Sequence, residues 1–299
     1  SAVRATAMFL RGRGVNDEDR LAIVFAPGPH QAVALLAGLG VATITPIQTT
    51  NPVKALKEDL RRLRVTKIIT DNRSSAAVMQ AADEMGLPVF NLEPFSLPPA
   101  PLNWQLPLPA QGQLALLMQS SGTTSDPKIV PLTHANLLAG ARAVTEWLAL
   151  DTSDRTLAVT PMSHIHGFVT TLLAPLISGG SVICCSDRAA DQLLVQFKTC
   201  RPTWLSASPT LLLALADAFK RSGEPHPVHS LRFIRSVTMT LTSTARSQIE
   251  TVFQVPVLEV YGMTEAASQV CSTRLTEHGV TYRSGTVGSA AGPEVKIGR

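Results

Sequence analysis

The 299-residue chain reads as an α/β protein with mainly parallel sheets flanked by helices. Three observations predict this. Short apolar runs alternate with amphipathic stretches from about residue 20 to residue 260. The segments between successive runs are long enough to hold a helix each, as parallel βαβ crossovers require. Two of the runs end directly in polar clusters, which is where open α/β sheets hold their ligands.

In chain order, residues 21–25 predict a strand and 30–38 a helix ended by Gly38 and Gly40. Strands at 42–46 and 67–70 flank the charged helical stretch 52–63. A helix follows at 79–85, then a short strand at 88–91. Residues 93–112 hold six prolines and no periodicity, so they predict an ordered crossing loop. A strand at 114–118, a polar loop and a strand at 129–132 lead into a helix that Thr133 opens as N-cap. Downstream, strands at 156–160, 181–185, 203–206, 231–236 and 256–260 alternate with helices at 167–177, 189–199, 208–220 and 242–253. Gly179-Gly180 stops the first of these helices. No internal sequence repeat is visible. The reading divides the chain into a first α/β subdomain, 1–112, and a second, 113–299, that carries the candidate site.

Composition narrows the partners. The net charge is +4 and the basic residues are scattered, apart from Arg61-Arg62-Leu63-Arg64. That cluster reads as the solvated face of a helix, so no nucleic-acid partner is expected. Mean hydropathy is slightly positive, yet no apolar run approaches the eighteen residues of a transmembrane segment. The opening Ser1-Ala2-Val3-Arg4 is not a signal peptide. Cys184, Cys185, Cys200 and Cys271 lack metal-type spacing. They suggest reduced thiols and a cytoplasmic location, with a peroxisomal one left open.

The run from Gln119 to Lys128 (Q-S-S-G-T-T-S-D-P-K) concentrates hydroxyls, a glycine and a lysine directly after an apolar strand. Hydroxyl and backbone N–H donors on such a loop can wrap phosphate oxygens, and lysine adds a point charge. The spacing is not that of a G-x-x-x-x-G-K-[ST] P-loop. A plain polar surface loop is the alternative.

Ser120–Lys128 resembles the signature loop of the adenylate-forming superfamily of acyl-CoA synthetases, adenylation domains and luciferases. Three more motifs stand in that family's order. Pro161-Met162-Ser163-His164-Ile165-His166-Gly167 resembles its P-L-F-H-x-x-G segment. Tyr261-Gly262-Met263-Thr264-Glu265 matches its Y-G-x-T-E. Gly285-Thr286-Val287-Gly288 with Gly292-Pro293-Glu294-Val295-Lys296-Ile297 is similar to its G-x-V-G…G-x-E-V-K-I stretch. In wording the chain is closest to the oxalyl-CoA synthetase-like branch. The resemblance covers roughly residues 15–299 and implies stacked, mainly parallel sheets, the large N-terminal domain of such an enzyme. The family's ribose-binding aspartate motif, hinge and small C-terminal lid domain with its lysine are not in this stretch.

The resemblance implies attack of a carboxylate on the α-phosphorus of ATP, giving an acyl-adenylate and pyrophosphate. Transfer to CoA or another acceptor follows. Ser120, Ser121, Gly122, Thr123, Thr124 and Lys128 would hold the β- and γ-phosphates, with Glu259, Tyr261, Gly262 and Thr264 completing the ATP contacts. Tyr261 would stack on adenine, Thr264 would meet the α-phosphate, and Glu265 would bind Mg2+. A single carboxylate suits magnesium, which keeps its waters; a helix capping element is the alternative reading of Thr264-Glu265. Lys128, Thr264, Glu265 and His164 form the expected catalytic set. Ser125 and Ile129 replace usual glycines, which points to weaker loop closure.

The implied acyl pocket comprises His164, His166, Val237, Thr238, Met239, Gly262, Met263 and Ser268. On an extended segment the two histidines would point the same way. Interior hydrogen-bonded histidines are the alternative, and zinc a poor third. The oxalate-like branch shows R-S-C-S-x-x-L where this chain has Arg235-Ser236-Val237-Thr238-Met239-Thr240-Leu241, and histidine where it has Ser268. With those polar positions altered, the expected substrate is an aryl or medium-sized acyl acid. A small dicarboxylate or a non-catalytic nucleotide-binding role are the alternatives. A carrier protein or a separate C-terminal domain is a possible partner.

Overall fold

In the computed structural model, residues 1–298 are described, apart from 49, 72–75, 107, 121–127, 224–228, 277–278 and 281–284. The chain divides into two compact units, Ser1–Leu137 and Leu138–Arg299.

The first unit opens with α1 (Ala2–Gly12), which the sequence reading did not assign; it buries Ala5, Ala7 and Leu10 on one side. Strands β1 (Arg20–Val24), β2 (Thr43–Pro46), β3 (Lys67–Thr70), β4 (Val89–Asn91), β5 (Leu114–Ser120) and β6 (Lys128–Thr133) form one sheet in the order β4-β3-β1-β2-β5-β6. All neighbours are parallel except β5 and β6. Helices α2 (Pro29–Leu39), α3 (Val53–Arg62) and α4 (Ala76–Met85) are the crossovers. Ala22, Val24, Ile68 and Leu117 meet Leu56, Leu60 and Val78 in one core cluster, the alternation expected of strands covered by amphipathic helices. The division falls after residue 137, whereas the sequence reading placed it after 112. The reason is hydrogen bonding: β5 pairs with β2 and draws β6 into the first sheet.

Helix α5 (His134–Trp147) carries the boundary. Thr133 opens it as expected: its Oγ1 accepts from Asn136 N–H at 3.2 Å, while Asn136 Oδ1 accepts from Thr133 N–H at 3.0 Å.

The second unit's sheet has the order β15-β12-β11-β10-β9-β7-β8. Its strands are β7 (Arg155–Ala158), β8 (Ser181–Cys184), β9 (Trp204–Ala207), β10 (Phe233–Ser236), β11 (Val257–Met263), β12 (Ser268–Ser272) and β15 (Ser289–Ala290); β13 (Leu275–Thr276) and β14 (Gly279–Val280) pair separately. From β7 to β11 the pairing is parallel, and the β12 side is antiparallel. Helices α7 (Ala190–Cys200), α8 (Pro209–Arg221) and α9 (Ser243–Phe253) cover one face. There Phe197, Phe219 and Phe253 cluster with centroids 5.0–6.2 Å apart, over Leu157, Leu205, Ile234 and Val257. The predicted helix 167–177 is a π-helix, His166–Leu173, continued by α6 (Ala174–Ile177).

Candidate functional site

In the first unit the polar run lies between the antiparallel strands β5 and β6. Strand β5 runs on to Ser120 and β6 begins at Lys128, two residues that pair directly across the ladder. Both are therefore strand residues. The ladder delivers Lys128, which is exposed and has no partner among the described residues. Gln119 donates to Asp59 Oδ1 at 2.9 Å, tying β5 to α3. Ser121, Gly122, Thr123, Thr124 and Ser125 lie outside the described residues. Ile129 is partly exposed opposite Gln119.

In the second unit the candidate residues gather where β9, β10 and β11 end. Tyr261 does not follow β11 but lies inside it, beside a bulge in the β11–β12 ladder. Its ring is 49 % exposed, free to meet a flat partner. Gly262 has no room for a Cβ, which would sit 1.7 Å from the Ser268 carbonyl oxygen. Thr264–Ala266 is a single 3-10 turn with no side-chain cap, so the capping alternative for Thr264-Glu265 is not what the structure shows. Thr264 is half-buried; Glu265 is exposed and has no partner among the described residues. Glu259 differs. It is buried, and its carboxylate accepts from Arg246 Nη2 at 2.5 Å.

His164 and His166 part company. The segment is helical rather than extended: Ile165 is in the right-handed region and the π-helix starts at His166. His164 is exposed, and desolvation followed by the Arg188 charge lowers its pKa. His166 is turned inward. Its Nε2 lies 2.8 Å from Ser206 Oγ and its Nδ1 lies 3.3 Å from Ser268 Oγ, which in turn lies 2.8 Å from Thr170 Oγ1. Burial, helped by the Arg235 charge, pushes the imidazole pKa down to about 3, so the ring is neutral at physiological pH. Gly167 makes this entry possible, because a Cβ there would meet the Pro161 carbonyl oxygen at 2.0 Å.

Val237 is buried, whereas Thr238 and Met239 are exposed and Met263 is 44 % exposed. Thr238 has φ +72°, Ala267 +49° and Ser268 +104°. A β-branched residue in the left-handed region is strained, and such strain collects at functional sites.

The residue that sequence reasoning passed over is Arg235, quoted as a marker of the branch but given no role. It is completely buried. Nη2 donates to Gln269 Oε1 at 2.5 Å, while Nε and Nη1 have no partner among the described residues. Burial lowers its pKa to about 9, so the guanidinium is a buried cation facing a neutral amide. A buried charged donor without an acceptor costs well over the ~1–3 kcal/mol of a neutral one. The signal was available: an arginine inside an otherwise apolar strand pattern.

Within the second unit, the exposed aromatic face of Tyr261 and the Glu265 carboxylate, which has no partner among the described residues, fit a nucleotide and magnesium. No group of three or more His, Cys, Asp or Glu able to hold a metal occurs among the described residues. Glu265 alone therefore fits an ion held chiefly by phosphate oxygens and water.

The AMP-binding enzyme family model matches residues 1–298. A probable CoA ligase from Humulus lupulus is 31 % identical over 97 % of this chain and 58 % of its own length. A sulfoacetate–CoA ligase from Cupriavidus necator is 32 % identical over 92 % of this chain and 55 % of its own. A crystal structure of a benzoate CoA ligase from Burkholderia xenovorans LB400 superposes with a TM-score of 0.83 at 21 % identity, covering 100 % of this chain and 63 % of that one. The chain thus spans just over half the length of the curated relatives it matches.

Proposed function

We propose that this chain, which belongs to the AMP-binding enzyme family, activates a carboxylic acid with Mg-ATP. The product is an acyl-adenylate, passed to CoA or a carrier-protein thiol. The observation that carries the reading is the family match over residues 1–298. The side chains it needs have no partner among the described residues: Lys128 in the first unit, and Tyr261 and Glu265 in the second.

Phosphoryl-group chemistry asks little of a protein beyond positioning and charge. In the first unit, Ser120, the residues 121–124 and Lys128 serve the β- and γ-phosphates. In the second, Tyr261 stacks on adenine, Gly262 leaves the backbone bare beside it, Thr264 meets the α-phosphate and Glu265 holds Mg2+, which offsets phosphate charge. With its carboxylate engaged by Arg246, Glu259 acts through the position it gives β11. His164 stands on the exposed side, by the incoming carboxylate. Two classes of acid compete. Val237, Met239 and Met263 support an aryl or medium-sized acyl group. Arg235 favours a small acid with a second anionic group, and sulfoacetate, in the name of one relative, is such an acid. All four cysteines are free, in keeping with a reducing, cytoplasmic setting. No helix among the described residues is long and apolar enough to cross a membrane.

The test is Mg2+-dependent ATP–pyrophosphate exchange across a panel of acids. Exchange that disappears in Lys128→Ala and Glu265→Ala supports the reading. Failure of the chain to bind Mg-ATP in calorimetry overturns it.

A further inference from the structure

The turn that carries Thr264 and Glu265 is closed by two consecutive residues with positive φ, Ala267 at +49° and Ser268 at +104°. Each seats its carbonyl oxygen against a glycine. Gly262 of β11 faces the Ser268 carbonyl, and Gly140 of α5 faces the Ala267 carbonyl. A Cβ at Gly140 would stand 2.6 Å from the Ala267 oxygen and 2.9 Å from the Ala267 Cβ, well inside contact distance. Glycine in the middle of a helix costs stability relative to alanine, and Gly140 is not among the residues with positive φ. It serves close approach rather than backbone freedom. The helix is the firmer of the two parties. Ala141 and Val144 are fully buried, Thr145 Oγ1 donates to the Ala174 carbonyl at 3.1 Å, and Trp147 Nε1 donates to the Thr273 carbonyl at 3.0 Å. The turn is closed by a backbone bond from the Ala267 N–H to the Thr264 carbonyl at 3.1 Å and has no side-chain cap.

We propose that Gly140 and Ala267 are a positioning pair: their contact fixes the seat of the turn 264–266 on α5, and with it the aim of Glu265 at the Mg2+ of a bound ATP. The inference rests on the reading of the chain as an acid-activating domain, and it adds to that site a residue far upstream of the motif. Neither residue of the pair touches the ligand. Glu265 is exposed and has no partner among the described residues, so its carboxylate takes its direction from the backbone that carries it. Whatever seats the turn therefore orients the carboxylate. A larger residue at 140 displaces the exposed turn before it displaces the pinned helix. A glycine at 267 leaves the helix untouched, frees the backbone of the turn and removes a buried methyl that packs on α5. Both changes cost the carboxylate its fixed direction, and metal ligation tolerates such looseness poorly.

Isothermal calorimetry of ATP binding to the whole chain at pH 7.5, once in Mg2+ and once in EDTA, tests this. The readout is the gain in ATP affinity that Mg2+ confers, which a merely structural role would not move. In Gly140→Ala the gain should fall about tenfold or be lost, as happens when the support behind a metal ligand is disturbed, while affinity in EDTA stays close to wild type. Ala267→Gly should lower the gain in the same direction without harm to folding, because glycine adopts the φ of +49° found here without strain. If Gly140→Ala fails to fold, Ala267→Gly decides alone. An unchanged gain in a folded variant, equal losses with and without Mg2+ included, overturns the proposal. The wild-type chain tells the two failures apart. No ATP binding sinks the adenylation reading and this inference together. ATP binding without any gain from Mg2+ takes the metal from Glu265 and overturns the inference, and a full gain that both variants keep sinks the inference and leaves the adenylation reading standing.

Discussion

At the amino ends of the strands, Asp19 before β1 and Asp154 before β7 are built alike. Each is buried, accepts from the backbone N–H three residues earlier (Asn16 at 2.9 Å, Asp151 at 3.1 Å) and from a threonine hydroxyl at 2.7 Å just before the adjoining strand, Thr66 or Thr203. Each also meets a cation, Lys67 at 2.5 Å or Arg232 at 3.1 Å. At the carboxyl ends of the second sheet the opposite holds. Arg235 has two unpartnered nitrogens, three non-glycine residues have positive φ, and a neutral histidine is clamped by serines. Saturated polar groups hold strands together; unsaturated and strained ones cost stability and persist where a ligand completes them.

The largest effect should come from emptying a saturated site. Asp154→Ala removes the acceptor of Thr203, of the Asp151 N–H and of Arg232 at once. Counting the hydrogen bonds and discounting the half-exposed Arg232, the loss is roughly 3 kcal/mol. That is a fall in Tm of about 6–12 °C for a unit of this size. If the same substitution cost less than 0.5 kcal/mol, the contrast between the two ends would collapse.

Acid titration separates the ends by pH. His166 has a folded pKa of about 3, well below its ordinary 6.5. The unfolded chain therefore binds the extra proton first, and stability falls as pH drops from 6.5 towards 3. At Asp19 burial opposes ionisation, but hydrogen bonds from Lys67, the Asn16 N–H and Thr66 outweigh it and leave the pKa below 3.8. Its contribution is intact above 3.8 and is lost only as pH falls through the lower folded value. Urea unfolding between pH 7 and pH 4.5 should thus show an acid slope that shrinks in His166→Asn and persists in Asp19→Asn. An unchanged slope in His166→Asn would mean the imidazole is not buried neutral.

Much of this contrast was legible in the sequence, unevenly. The parallel βα alternation was readable because apolar runs and helical stretches alternate with little ambiguity, and the ends moved by only a few residues. Helix α1 escaped because small residues, Ala5 and Ala7, make its buried side and leave a weak periodic signal. The antiparallel edge of β12 and β15 escaped because Ser268–Ser272 is polar and pairs through its backbone. No repeat was visible, yet Asn16-Asp17-Glu18-Asp19-Arg20 and Asp151-Thr152-Ser153-Asp154-Arg155 share a turn whose likeness lies in hydrogen bonds rather than in identities. At the candidate site, motif wording singled out Tyr261, Thr264 and Glu265. The surroundings of His166 and Arg235 were not legible, since partners such as Ser206 are distant in sequence and an unpaired donor is a property of three-dimensional surroundings alone.

Arg235→Met sharpens the comparison through its sign. Replacing a buried, half-paired cation with an apolar side chain of similar length is often neutral or stabilising, so the ligand-free Tm should rise, by about 1 kcal/mol of stability. Gln269 keeps its bond to the Ala291 carbonyl, which limits the local loss. With the Arg235 charge removed, the His166 pKa should also rise, flattening the acid slope. A destabilisation of more than about 2 kcal/mol would show instead that Arg235 belongs with Asp154 as a structural group.

The smallest stability change should come from Glu265→Gln, and it isolates function from fold. Glu265 is exposed on a 3-10 turn and has no partner among the described residues, so its removal should move stability by less than about 0.5 kcal/mol. The amide keeps the shape and loses the charge, and a hard cation binds a neutral amide oxygen less well than a carboxylate. Exchange should therefore fall by about 100-fold or more, with part of the loss recovered at high Mg2+. ATP binding measured without magnesium should be unchanged. A variant with normal Tm and normal exchange would move the metal role elsewhere; one with lost exchange and a collapsed Tm would make Glu265 structural. Either result would break the assignment of unsaturated groups to function, because Glu265 is an exposed example of it and Arg235 a buried one.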